Sequence, residues 1–427
     1  MHTGVIVGEK IRVSIRFYYF YTIAYAGDVD MITWDTRYAD RAQSVRASDI
    51  RELLKVAQRP EVISFAGGLP HPNSFPVEDI FRISQSVLLN EADEALQYSA
   101  TEGYIELRKF LAARERSVGV ISDEDNILVT SGAQQGLELV AKTLLNPGDT
   151  VLVEEPGYLG GLQAFRMYQA SFTPIPLHED GIDIDALRAV LESGAKPPAF
   201  LYIVPTFQNP SGITYSKQKR QELADISMEH NLIIVEDNPY AKLRFEGEDI
   251  RSVKAFCPDN TIYLSTFSKI LSPGFRMGWI CAPKEVIRKL VIMKQATDLC
   301  TNTYCQFITY QLLRRGLIDR HIPWIAAMYK EKRDIMIKAM EEYFPPDVSW
   351  TRPEGGMFLW VTLPAYMNTK EMFKAALQEN VAYVHGGAFY TEGGENHMRI
   401  NFSYVDNERI VEGVKRLASV IKAHMHG

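Results

Sequence analysis

Between residues 126 and 282 short apolar runs alternate with helical patterns, and that alternation constrains the fold of this chain more than any other feature. Strand-like runs fall at 126–130, 150–154, 199–204, 232–235, 261–264 and 278–282, with helical patterns between them, notably 134–145 and 217–230. Runs such as LIIV carry no polar alternation, so they predict parallel strands covered on both faces, an α/β sheet flanked by helices. Helical patterns follow at 284–294 and 304–315, and residues 317–343 read as one long helix joining two domains. Beyond it the texture becomes antiparallel, with strands expected at 356–363, 382–384 and 398–402 and a closing helix at 407–423. The expected division is a large domain over 76–315, an interdomain helix over 316–345 and a small α+β domain over 346–427. An arm and helix at 31–75 would join the small domain.

A chain of 427 residues has ample material for two cores, and 46% hydrophobic with 23% charged residues is the balance of a soluble globular protein. A net charge of −7 argues against nucleic acid as the main partner. The four cysteines, Cys257, Cys281, Cys300 and Cys305, form no C-x-x-C pair and lack histidines at zinc spacing, which points to reduced thiols and no metal. Lys10, Arg12 and Arg16 precede an apolar run at 17–26, a superficial match to a signal peptide. That run is aromatic and too brief to span a bilayer, and Met31 reads like an ordinary start. Residues 1–30 are therefore expected to be an upstream extension, disordered or loosely attached.

In an open α/β sheet ligands bind at the carboxyl ends of the strands, so the residues after each run carry the chemistry. The stretch TIYLSTFSKILSPGFRMG reads as a strand at 261–264, a small polar turn at 265–268, then Lys269, with Arg276 seven residues on. A lysine shielded from water can lose its proton near neutrality and attack a carbonyl, while Ser265, Thr266, Ser268 and Arg276 can hold a dianionic phosphate. A surface lysine and arginine beside a turn would look the same in isolation. SGAQQG opens a helix whose free amides at Ala133 and Gln134 form an anion site, or simply a capped helix start. EPGY sets Tyr158 above the sheet, where its ring can lie on a planar ligand or pack at the surface. FQNPSG exposes Asn209, an amide donor for a phenolate oxygen, although Asn-Pro also makes turns. EDNPY puts Asp237 and Tyr240 at the mouth of a buried strand, where a carboxylate needs a cationic partner. A phosphate cradle, a stacking ring, a phenolate donor pair, a carboxylate and a lysine together are what pyridoxal 5′-phosphate requires.

With ASDIRELLKVAQRP, SFAGGLPHPNSFP, LQYSATEGY, TSGAQQGLELV, EPGY, FQNPSG, VEDNPY, FSKILSPGFRMGW, RPEGGMFLW and MRINFSY in this order, the chain from about Thr33 resembles the fold-type-I PLP-dependent aminotransferases, in the 2-aminoadipate, kynurenine and aromatic branch. The resemblance implies that Lys269 forms the Schiff base, that Asp237 partners the ring nitrogen and that Tyr240 and Asn209 hold the 3-oxygen. It makes Tyr158 the stacking ring, and gives the phosphate to the Ala133 and Gln134 amides, Thr266, Ser268 and Arg276. It implies a homodimer in which Tyr98 reaches the phosphate of the other subunit's cofactor, while the reduced thiols point to a cytoplasmic location. Arg399 matches the arginine that grips the substrate α-carboxylate, and Gly67 and Gly68 line the substrate mouth. Arg51 matches an arginine, on a mobile N-terminal helix, that reads the distal carboxylate of acidic substrates. A solvated helix charge is the other reading of Arg51. Two departures stand out. Ala133 replaces a frequent serine and removes one hydroxyl from the phosphate, and His385 stands where a proline usually precedes Gly386.

The implied reaction moves an amino group from 2-aminoadipate, glutamate or an aromatic or kynurenine donor to a 2-oxo acid such as 2-oxoglutarate, in two ping-pong halves. Two other classes share the resemblance. PLP lyases and decarboxylases use the same fold without consuming an oxo acid. PLP-sensing transcription regulators add an N-terminal DNA-binding domain, for which residues 1–30 are too few and too aromatic.

Overall fold

The computed structural model describes residues 32–44 and 59–425. Arg51, with the N-terminal helix expected to carry it, and the expected extension over 1–30 lie outside the described residues.

Eight strands form the main sheet, in the order Ile127–Thr130, Gly278–Cys281, Thr261–Thr266, Ile234–Asp237, Phe200–Ile203, Thr150–Glu155, Ser171–His178, Gly181–Ile182. The five strands from Thr261–Thr266 to Ser171–His178 run parallel to one another, whereas Gly278–Cys281 is antiparallel to both of its neighbours and Gly181–Ile182 to Ser171–His178. Five strands are buried at every residue, as continuous apolar runs require. Successive side chains leave on opposite faces: Val151, Val153, Phe200, Tyr202 and Val235 join one core, Leu152, Leu201, Ile203 and Ile234 the other. The helices Ile184–Glu192 and Lys217–His230 close the second core. Each starts on a side-chain cap, Asp183 accepting from the Ala186 amide and Ser216 from the Lys219 amide.

The long helix is present as Leu317–Tyr343 and tolerates Pro323 within its second turn. It packs against Asn407–His424. A four-stranded antiparallel sheet follows it, in the order Ser349–Trp350, Phe358–Thr362, His397–Asn401, Val384–His385.

Two sequence expectations change, and one strand is new. The run 261–264 extends to Thr266, because Ser265 and Thr266 pair with Trp279 and Gly278; the expected polar turn therefore starts two residues late. The single strand expected at 382–384 is two: Val381–Ala382 pairs with Ile63–Ser64, and Val384–His385 pairs with His397–Asn401, with Tyr383 turning its hydroxyl to the Thr369 carbonyl between them. Ser171–His178 lies outside the strand-like runs of the sequence and carries Pro174 and Pro176, which a central strand rarely holds. It survives near the sheet edge, where its outer neighbour is only the two-residue strand Gly181–Ile182.

Candidate active site

The carboxyl ends of the parallel strands open into a cavity of about 420 Å³. Ala133, Gln134, Tyr158, Asn209, Asp237, Tyr240, Thr266, Ser268, Lys269, Arg276, Arg399 and Gly68 all line it. Of the other expected site residues, Gly67 does not line the cavity, and Tyr98 stands apart from it, 77% exposed.

Lys269 follows the end of its strand and donates from Nζ to the Gly68 carbonyl at 2.9 Å. Burial, with Arg399 and Arg276 nearby, lowers its amine to about 8, so roughly a tenth of it is unprotonated at pH 7, far more than for an ordinary lysine. Asp237 closes the strand Ile234–Asp237 and is 2% exposed. Tyr202, from the neighbouring strand, donates to Asp237 Oδ2 at 3.0 Å, while Oδ1 has no partner. Desolvation pushes this carboxyl up to about 7, against the pull of the Tyr202 hydroxyl. An orphaned buried carboxylate oxygen facing a cavity needs a cationic hydrogen-bond donor, and the protonated nitrogen of a pyridine ring fits that need.

The opposite wall is built for an anion. The helix Ala133–Leu144 starts after Gly132, which has φ 79° and supplies no side-chain cap, so the first amides of the helix are left for a ligand. A Cβ at Gly132 would lie 2.6 Å from the Arg276 guanidinium, so glycine is what lets that cation approach the helix start. Arg276 itself adopts φ 51° and reaches the Ser131 carbonyl at 3.3 Å. Thr266 and Ser268 hydroxyls meet at 2.9 Å beside it.

Arg399 sits within His397–Asn401, opposite Trp360 on one side and Val384 on the other. It donates to Asn209 Oδ1 at 2.8 Å and to the Ala66 carbonyl at 2.6 Å, over the Phe358 ring at 4.4 Å. Its Nε has no partner, and burial lowers the guanidinium to about 10. Tyr240 and Tyr158 flank the same space, both phenols held protonated by desolvation. Lys269, Arg276 and Arg399 against Asp237 leave a positive excess, which suits a ligand with a phosphate and a carboxylate.

Two contributors escaped the sequence reading. Tyr202 and Phe358 lie inside apolar strands, where each reads as core. Their only signal is position near the carboxyl end of Phe200–Ile203 and the start of Phe358–Thr362. Among the described residues no cluster of histidine, cysteine, aspartate and glutamate could hold a metal, and all four cysteines are free.

Residues 61–417 match the family model for aminotransferases of class I and II. The chain is 47% identical over 401 residues to aromatic-amino-acid aminotransferase 1 of Thermococcus litoralis, covering 92% of this chain and 96% of that one. It is 41% identical to the 2-aminoadipate transaminase of Thermus thermophilus, covering 92% and 98%. A solved structure of the Pyrococcus horikoshii kynurenine aminotransferase, in complex with PMP and with KYN and KYA as substrates and products, superposes with a TM-score of 0.89 at 43% identity, covering 92% and 98%.

Proposed function

This chain belongs to the class I and II aminotransferases, and we propose that within the family it moves the amino group of acidic and aromatic donors, 2-aminoadipate, glutamate, kynurenine and their like, to 2-oxoglutarate. It is a PLP-dependent transaminase of fold type I. The observation that carries the reading is the convergence on one cavity of Lys269, the orphaned Asp237 oxygen, an uncapped helix start beside Arg276, and Arg399.

Pyridoxal 5′-phosphate, when bound, supplies an aldehyde for an amine and a ring that absorbs the charge left when an amino acid loses its α-proton. The chain's own groups do the rest. Asp237 Oδ1 would accept from a protonated ring nitrogen, while Tyr202 holds the other oxygen so that the carboxylate does not turn away. Ala133 and Gln134 amides, Thr266, Ser268 and Arg276, all lining the cavity, would bind the phosphate; Tyr158 would lie against the ring, and Tyr240 and Asn209 would hold its 3-oxygen. Arg399 grips the donor's α-carboxylate, its planar fork already oriented by Asn209 and Ala66. Lys269, lowered to about 8, is poised to take the α-proton at Nζ and hand it back as general acid.

The range of donors rests on the names of the relatives, which span aromatic and 2-aminoadipate transaminases. Phe358 under Arg399 and Gly68 at the mouth leave room for a flat side chain. Arg51, outside the described residues, is the proposed reader of a distal carboxylate. Measuring kcat/KM for 2-aminoadipate, glutamate, kynurenine, phenylalanine and tyrosine in wild type and Arg51→Ala tests this. A selective loss on the two acidic donors is expected; equal values across all five donors in the variant and wild type would overturn the role of Arg51.

We assign a cytoplasmic homodimer. Val77, Phe81 and Leu88 recur at helical spacing on the solvent side of Val77–Asn90, and with Leu96 and Tyr98 they expose an apolar stripe suited to a second copy. Tyr98, remote from its own cavity, would then reach the partner's phosphate. Among the described residues no helix is long and apolar enough to cross a membrane. The change from the mostly parallel sheet to the antiparallel one across Leu317–Tyr343 supports a large domain over 76–315 and a small one over 346–427, and the pairing of Ile63–Ser64 with Val381–Ala382 supports grouping that strand with the latter.

A further inference from the structure

A second cavity, of about 360 Å³, lies beside the first and shares only Pro239 and Thr266 with it. Its buried lining includes Glu115, Asn238, Ser252 and Trp279. Asn238 and Ser252 are 6% and 8% exposed, yet Asn238 Oδ1 and Ser252 Oγ have no hydrogen-bond partner. Native interiors rarely leave such groups unpaired, so two in one cavity mark places where a ligand's polar atoms fit. Glu115 accepts from the Trp279 indole at 3.1 Å, and burial pushes its carboxyl up to about 7. The carboxyl is thus only partly ionised near neutrality and offsets less than one of the positive charges at the mouth.

Those charges are positive. Arg114, Arg116, Lys242 and Arg251 line the cavity against Glu115 and Asp249. Arg114 is taken up by Asp319 at 2.9 Å, and Asp249 faces Arg244 at 3.4 Å. That leaves Arg116, Lys242 and Arg251 as surplus charge around a polar interior.

We propose that this cavity is a second binding site, for a small anion whose body carries hydroxyl groups, either a hydroxy acid or a sugar phosphate. The anionic head meets Lys242 and Arg251, and the hydroxyls donate to Asn238 Oδ1 and pair with Ser252 Oγ. The occupant rests on the segment that positions the catalytic groups, since Ser265, which lines this cavity, donates to the Asn238 carbonyl at 2.9 Å, and Ile270 lines it one residue after Lys269. This site is independent of the amino-donor assignment.

The test is calorimetric titration of the PLP-loaded enzyme with gluconate, glucose 6-phosphate and inorganic phosphate. Saturable binding of gluconate or glucose 6-phosphate, one per subunit and tighter than inorganic phosphate, is expected, and whichever binds identifies the head group. Lys242→Gln combined with Arg251→Gln should weaken it at least tenfold, and Ser252→Ala severalfold, with transaminase KM and kcat unchanged in the absence of the probe. Arg399→Ala should leave probe binding intact, because the active site is a separate anion site. Absence of saturable binding, equal affinity for inorganic phosphate, persistence in the double variant, or loss in Arg399→Ala would each overturn the proposal.

Discussion

Lys269 shows how much a single environment can do to a side chain. Burial and two neighbouring guanidinium groups bring its amine from 10.5 to about 8 in the cofactor-free protein. The folded state therefore holds this proton less tightly than the unfolded chain does. Between about pH 8 and 10.5 the unfolded chain binds more protons, so this lysine's contribution to stability rises with pH across that window. Cofactor-free wild type should gain in denaturant midpoint relative to Lys269→Met as pH is raised from 8 to 10; parallel curves would contradict the lowered amine. Lys269→Ala should abolish turnover while still binding cofactor weakly, which equilibrium dialysis and activity measured together will show. Tyr202 offers a second prediction. Tyr202→Phe removes one hydrogen bond to a buried carboxylate, an interaction worth about 1.5–3 kcal/mol, so cofactor affinity should fall roughly ten- to a hundredfold. The absorbance of the bound cofactor should also titrate at a shifted pH. An unaltered titration would mean Tyr202 only fills space. Lys269, Asp237 and Arg276 were legible because polar residues after apolar runs are conspicuous; Tyr202 was not, because a tyrosine inside FLYI looks like any core aromatic.

At the scale of elements, the turn between Ile127–Thr130 and the helix Ala133–Leu144 carries a sharp demand. Gly132 combines φ 79° with a contact to Arg276 that a Cβ would close to 2.6 Å. Gly132→Ala forces a side chain into an extended positive-φ conformation that is essentially glycine-only, a strain of about 1–3 kcal/mol, and displaces the guanidinium. PLP affinity, followed by fluorescence titration of the cofactor-free protein, should drop by roughly tenfold or more, with little change in the far-ultraviolet dichroism. Wild-type affinity would contradict the cradle. The buried strands were legible from their continuous apolar composition, and their order of appearance gave the alternation that predicts a parallel sheet. Pairing was less legible. That Gly278–Cys281 runs antiparallel, and that 381–385 divides between two sheets at Tyr383, depends on partners far away in sequence. Ser171–His178 carries two prolines that its place next to the short edge strand accommodates.

For the whole molecule, the cavity is assembled from both parts of the chain, with Asp237 and Lys269 from the main sheet and Arg399 from the small one. The proposed second copy would add Tyr98. Tyr98→Phe should leave the dimer intact by sedimentation yet loosen the cofactor about tenfold, the cost of one charge-assisted hydrogen bond; unchanged retention would remove Tyr98 from the site. The central claim is amino-group transfer in two separable halves through Lys269. It is tested most directly by giving the PLP-loaded enzyme one amino donor without any oxo acid and counting the product released. One equivalent of 2-oxo acid per active site, then a stop that 2-oxoglutarate relieves, is the predicted result, absent in Lys269→Ala. Continuous product release with no oxo acid consumed would contradict it and point to a lyase or decarboxylase.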